Sequence, residues 1–180
     1  MQKTIYLAGG CFWGMQKYFD QFEGIVETET GYANGPTADP TYQEVCADSG
    51  HAETLRIVYD TEKISLKKLL DDYFLVIDPL SVNRQGHDAG IQYRTGIYYT
   101  DADDLPVISG RAEEEAELIG APLAVEILPL ENFWPAEEYH QKYLDKNPGG
   151  YCHIPDYMFT RGKSEASSED DAPEEKGTES

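Results

Sequence analysis

Between Lys3 and Leu130 the chain switches repeatedly between short β-branched or aromatic runs and amphipathic helical stripes, with no regular alternation of the two. Strand-like runs fall at Lys3–Leu7, Gly24–Tyr32, Glu53–Asp60, Gly96–Thr100 and Leu123–Leu130. Helical spacing is carried by Phe12, Met15, Gln16, Phe19 and Phe22, then by Leu66, Leu69, Leu70, Tyr73 and Phe74 behind Ser65, a suitable N-cap. An acidic, alanine-bearing helix is predicted over Asp101–Ile119, where Pro106 must either sit in the first turn or break it. A last helix is predicted over Pro135–Tyr143, where Glu137 and Glu138 would sit near the positive end. Interspersed but irregular elements of this kind predict an α+β fold. The expected architecture is a two-layer sandwich of helices on a mainly antiparallel sheet, not a doubly wound parallel one.

At 180 residues the chain is long enough for one well-buried core and too short for two ordinary domains. We place that domain at residues 1–162. Residues 163–180 hold Ser, Glu, Asp, Pro and Gly and almost nothing apolar, so they are expected to form an acidic disordered tail. Segments 33–41 and 78–93 read as loops, and Pro148, Gly149 and Gly150 forbid regular structure from Asn147 onward. No apolar run is long enough to span a membrane, and the first residues lack signal-peptide anatomy, which predicts a cytoplasmic protein without a membrane partner. The net charge of −20, with no basic stripe, argues against nucleic acid. A monomer is the default expectation.

Three cysteines, Cys11, Cys46 and Cys152, form an odd set without a C-x-x-C pair, which in a reducing compartment points to free or catalytic thiols. Cys11 follows Gly9-Gly10 and opens the first helix, where unpaired N–H groups and the helix dipole are expected to lower a thiol pKa. Phe12 and Trp13 could form an apolar cradle for a sulfur-borne methyl group. Taken alone, an inert core cysteine is the better account of Cys11. His51-Ala52-Glu53 has the H-x-E of zinc deaminases without the accompanying P-C-x-x-C, and Cys46 with His51 falls short of four zinc ligands. No phosphate-cradling or flavin glycine fingerprint opens a helix, so neither a metal nor a bound cofactor is expected. His87 and His153 are expected to be solvated loop residues, and Cys46 a buried bystander.

The segment Gly10-Cys11-Phe12-Trp13-Gly14 resembles the active-site signature of peptide methionine sulfoxide reductase A. The resemblance continues through Gly31-Tyr32, Pro40-Thr41-Tyr42-Gln43-Glu44-Val45-Cys46, Gly50-His51-Ala52-Glu53 and the run from Gln85 to Thr95. It closes with Phe133, the run Tyr139 to Leu144, and Asn147-Pro148-Gly149-Gly150-Tyr151-Cys152. It implies a ferredoxin-like core and reduction of the S epimer of methionine sulfoxide, free or in oxidised proteins. Cys11 is then the nucleophile and Glu53 the acid that meets the sulfoxide oxygen. Tyr42 and Tyr93 donate hydrogen bonds to that oxygen, and Asp88 assists substrate binding beside Phe12 and Trp13. The resulting sulfenic acid would condense with Cys152, and thioredoxin, or dithiothreitol in vitro, would reduce the disulfide.

The sequence departs from that pattern at Ile77, where a histidine is expected, and no cysteine follows Cys152 to act as a further relay. Two other readings stay open at this level. A thiol hydrolase would need a histidine beside Cys11 as general base. A non-catalytic module for methionine-rich peptides would make Cys11 incidental.

Overall fold

The computed structural model describes residues 1–150 and 152–162; the expected acidic tail lies outside the described residues. In chain order the elements are β1 (Gln2–Ala8), α1 (Phe12–Asp20), β2 (Ile25–Ala33), α2 (Tyr42–Cys46), β3 (Ala52–Asp60), α3 (Leu66–Phe74), β4 (Arg84–Gln85) and β5 (Asp88–Ala89). Then follow β6 (Gly96–Tyr99), α4 (Leu105–Ile119), β7 (Glu126–Pro129), β8 (Phe133–Pro135) and α5 (Tyr143–Lys146). Six strands form one sheet in the order β7-β6-β1-β3-β2-β8, and only the β6–β7 pair is parallel. The mainly antiparallel α+β sandwich is therefore the observed architecture.

Strand alternation divides the sheet into two faces. Ile5 and Leu7 of β1, Leu55, Ile57 and Tyr59 of β3, and Ile97 of β6 point into the main core, with Met15, Tyr18 and Phe19 of α1 and Leu69, Leu70 and Tyr73 of α3. Glu53 shares the pleat parity of Leu55 and Ile57, so it lies on the helix-covered face. The opposite face carries a smaller cluster of Ala8, Ala33, Ala52 and Tyr98 with Tyr6 and Phe133 against it. Tyr73 ties the two layers together, donating to the Ala8 carbonyl and accepting from the Gly96 N–H (3.2 Å), just before the chain reaches Gly9.

Local signals account for most element ends. Ser65 caps α3 by accepting from the Lys68 N–H (3.1 Å). Pro106 sits in the first turn of α4, and left-handed Gly120 ends that helix. The predicted helix over Pro135–Tyr143 is not formed. Pro135 instead ends β8, a single 3-10 turn covers Glu138–His140, Gln141 is extended and Lys142 is left-handed at φ 56°. The polar groups that a helix would consume are bonded elsewhere. Gln141 exchanges hydrogen bonds with both backbone groups of Thr30, and the Lys142 N–H donates to Gln16 Oε1 (2.7 Å). Tertiary pairing to β2 and α1 outcompetes local helix here.

Candidate active site

Strand β1 delivers the chain to a turn at Gly10, whose φ of 79° is a conformation that glycine adopts without steric cost. Cys11 follows in extended conformation as the N-cap of α1. Its side chain is only 7% exposed. Burial pushes the Cys11 thiol well above its ordinary pKa and the Glu53 charge pushes the same way, while the Trp13 N–H opposes them. The expected lowering at a helix start is thus overridden, because desolvation of the thiolate outweighs one backbone dipole.

Glu53, 2% exposed on β3, lies beneath this helix start. Its Oε1 accepts from the Phe12 N–H at 3.3 Å, and its Oε2 is buried with no hydrogen-bond partner among the described residues. Burial raises its pKa to about 8 against the Phe12 hydrogen bond, and the Asp88 charge adds to the rise. At neutral pH the carboxyl therefore carries a proton, and one unpartnered oxygen is available to donate it. A neutral Glu53 also removes the charge that opposes a Cys11 thiolate.

Tyr42 opens the short helix α2, which a capping box between Thr41 and Glu44 starts. Tyr93 ends a 3-10 turn after the β4–β5 hairpin. Burial holds both phenols far above their ordinary pKa, so both remain hydrogen-bond donors. Tyr93 lies in the field of Glu53, Asp88, Cys11 and Cys46, and Tyr42 in that of Glu53, Cys46 and Tyr93. Asp88 projects from β5 with a buried Oδ2 that has no hydrogen-bond partner among the described residues, and burial raises its pKa. Its hairpin belongs to the segment expected to be a loop, and Gln85 pins it by bonding the backbone N–H and carbonyl of Asp78 (2.7 and 2.9 Å).

Phe12 is 1% exposed and packs with Tyr32, Val45 and Ala136, whereas Trp13 is half-buried at the edge of that cluster. Trp13 stacks on Tyr143 at 3.7 Å between ring centroids and donates its indole N–H to His140 Nδ1 at 2.9 Å. Because an indole N–H only donates, that His140 nitrogen is unprotonated. The ring is neutral, with its proton on Nε2, which lies 3.4 Å from Glu137 Oε2. Burial lowers the His140 pKa against the Glu137 charge.

Cys152 Sγ rests against α1 at Gly14, three residues beyond Cys11, and accepts from the Ile154 N–H at 3.3 Å. The structure thus brings Cys11, Glu53, Tyr42, Tyr93, Asp88 and Cys152 into one electrostatic neighbourhood, with Phe12 and Trp13 at its aromatic side.

Two expectations need correction. Cys46 is exposed, not buried, because α2 buries only Val45. His153 is partly buried, its ring packed against Gly10 beside Gln85, since the buried Ile154 anchors its segment. No site role for His140, Glu137 or Gly14 was read from the sequence. The advance signals were the places of His140 in the run Tyr139 to Leu144 and of Gly14 at the end of the Gly10–Gly14 segment, while Glu137 was expected only near a helix start.

A buried thiol in the field of a buried carboxyl of raised pKa and two phenols, with a second thiol resting against the same helix, is the equipment of a thiol-based oxidoreductase. A family model described as peptide methionine sulfoxide reductase matches residues 3–171. The chain is 59% identical over 160 residues to the peptide methionine sulfoxide reductase MsrA of Clostridium acetobutylicum, covering 88% of this chain and 99% of that one. Among solved structures, Mxr1 from Saccharomyces cerevisiae in reduced form superposes with a TM-score of 0.82 at 39% identity, over 86% of this chain and 91% of that one. The same yeast protein in complex with Trx2 matches with a TM-score of 0.57 at 28% identity, over 79% and 84% of the two chains. This chain belongs to the peptide methionine sulfoxide reductase family.

Proposed function

We propose that this enzyme reduces the S epimer of methionine sulfoxide, in oxidised proteins and as the free amino acid, with Cys11 as nucleophile. The observation that carries this reading is the buried Glu53 carboxyl at the start of α1, bonded to the Phe12 N–H through one oxygen and unpartnered among the described residues at the other, with Tyr42 and Tyr93 nearby. A sulfoxide oxygen accepts hydrogen bonds strongly, and these three groups supply protons to it. Trp13, packed against the Phe12 cluster, offers an aromatic face to the sulfoxide methyl, and Asp88 lies close enough to Cys11, Glu53 and Tyr93 for its charge to act on them.

Attack by Cys11 sulfur transfers the oxygen: two electrons pass to the substrate sulfur, methionine leaves, and Cys11 becomes a sulfenic acid. The thiol of Cys152 then forms the S–S bond while the S–O bond breaks, and the oxygen departs as water. A thioredoxin dithiol reduces the disulfide by exchange, a reading supported by the Trx2 complex of the yeast relative. The cycle uses no bound cofactor. Re-reduction at each turnover suits the cytoplasm, and every group named comes from one chain, which suits a monomer. No helix among the described residues is long and apolar enough to cross a membrane.

Incubation with dithiothreitol and each sulfoxide epimer should yield methionine from the S epimer only; equal turnover of both would contradict the reading. With thioredoxin as reductant, Cys152→Ser should form one methionine per protein and then stop, and repeated turnover would remove Cys152 from the cycle.

His140 holds Trp13 through its Nδ1. His140→Leu leaves the indole N–H without that acceptor, a loss of about 1–3 kcal/mol and hence a rise in KM of about fivefold to a hundredfold. His140→Asn, which restores an acceptor near the Nδ1 position, should recover much of it. The wild-type KM should rise in acid as the ring takes a second proton, with Glu137, Tyr42 and Tyr139 as the ionisable groups around it. A KM unchanged in His140→Leu would show that Trp13 needs no such support.

A further inference from the structure

Gly14 lies in the first turn of α1, at an ordinary helical φ, where alanine is the favoured residue and glycine a poor one. Its presence has a spatial reason. A Cβ on Gly14 would stand 2.2 Å from Cys152 Sγ and 3.3 Å from Ile154 Cδ1. On the other flank of Cys11, a Cβ on Gly10 would stand 2.8 Å from His153 Cε1. The segment Cys152-His153-Ile154 therefore lies across the start of α1, seated on the two glycines that bracket the reactive cysteine and anchored by Ile154 in the core. The Cys11 thiol draws on the Trp13 N–H of the same first turn and lies in the field of Cys152.

We propose that Gly14 is a positioning residue for disulfide formation: the space left by its missing side chain is the seat from which Cys152 reaches the Cys11 sulfenic acid. This rests on the reading of Cys11 as nucleophile and Cys152 as resolving thiol. In the step concerned, Cys152 sulfur attacks Cys11 sulfur, the S–S bond forms, the S–O bond breaks, and hydroxide leaves with the Cys152 proton as water. The nearest atoms that a Gly14 Cβ would meet belong to Cys152 and Ile154, not to a group of the earlier oxygen transfer, so the two steps should separate. Gly10 is a poorer probe, because its left-handed backbone strains any substitution.

Gly14→Ala should be compared with wild type in a single turnover with one equivalent of sulfoxide, following methionine, the sulfenic acid trapped by a carbon nucleophile such as dimedone, and the disulfide. Methionine formation should stay within about twofold of wild type, while disulfide formation slows by about 10²-fold, the usual effect of an ångström-scale misplacement. Trapped sulfenic acid should accumulate. Gly110→Ala in α4, where a Cβ would meet nothing within 4 Å, is the matched helical control and should leave disulfide kinetics unchanged. Disulfide formation at the wild-type rate in Gly14→Ala would overturn the proposal, as would equal slowing of both steps. Methionine formed with no trappable adduct in Cys152→Ser would instead overturn the underlying reading of Cys11.

Discussion

Cys11→Ser should abolish sulfoxide reduction, a fall of about 10⁴-fold or more, because a hydroxyl cannot supply the sulfur electron pair that accepts the oxygen. The fold should not suffer. Cys11 is the N-cap of α1, and serine, among the preferred N-caps, can accept from the same first-turn N–H groups. We therefore expect an inactive variant that melts no lower than wild type. Turnover with dithiothreitol and a thermal melt check both halves, and residual turnover at the wild-type rate would remove Cys11 from the chemistry.

Glu53→Gln separates activity from stability in the same way. Glutamine fills the site and keeps a hydrogen-bond donor but cannot release a proton, so turnover should fall about 10²–10⁴-fold, more in kcat than in KM. In wild type the acid must be protonated, so activity should decline as pH rises past about 8. Stability moves with the same proton. The folded-state pKa lies above the ordinary glutamate value of 4.5, so the folded protein holds the proton more tightly than the unfolded chain. That contribution is fully present below 4.5 and is lost as pH rises to about 8. Above pH 8 wild type keeps a buried charge that Glu53→Gln lacks, and the variant should be more stable there by a few kcal/mol, on the order set by that shift. Melting curves at pH 5 and 9 test the crossover, and a variant less stable than wild type at the higher pH would contradict a proton held on Glu53 by burial.

The helices α1 and α3 were legible from their apolar stripes, with Ser65 capping α3, and α4 from its acidic, alanine-bearing run. A 3-10 turn over Ala102–Asp104 nevertheless takes the place of the predicted first residues of α4, and the helix begins at Leu105, beside Pro106. Between Pro135 and Lys146 the local signal fails: Gln141 and Lys142 bond to Thr30 and Gln16, partners more than a hundred residues away in the chain. Helix α2 carried its own signal in Thr41 and Glu44, and its brevity is why Cys46 is left exposed. At the site, the position of Cys11 at a helix start was legible, yet the direction of its pKa was not. The dipole is a local property of sequence, whereas burial by neighbouring elements and the approach of Glu53 are tertiary. The contact of Cys152 with Gly14 joins residues 138 positions apart, by subtraction of their numbers in the sequence, and no spacing rule reports it.

The central claim is that the sulfoxide oxygen passes to Cys11. Its most direct measurement uses Cys152→Ser, one equivalent of S-epimer methionine sulfoxide labelled with heavy oxygen, and mass spectrometry of the cysteine-bearing peptides. The labelled oxygen should appear on Cys11 in step with methionine, with Cys46 unmodified. Methionine formed while Cys11 stays an unlabelled thiol, or label found on Cys46, would contradict it.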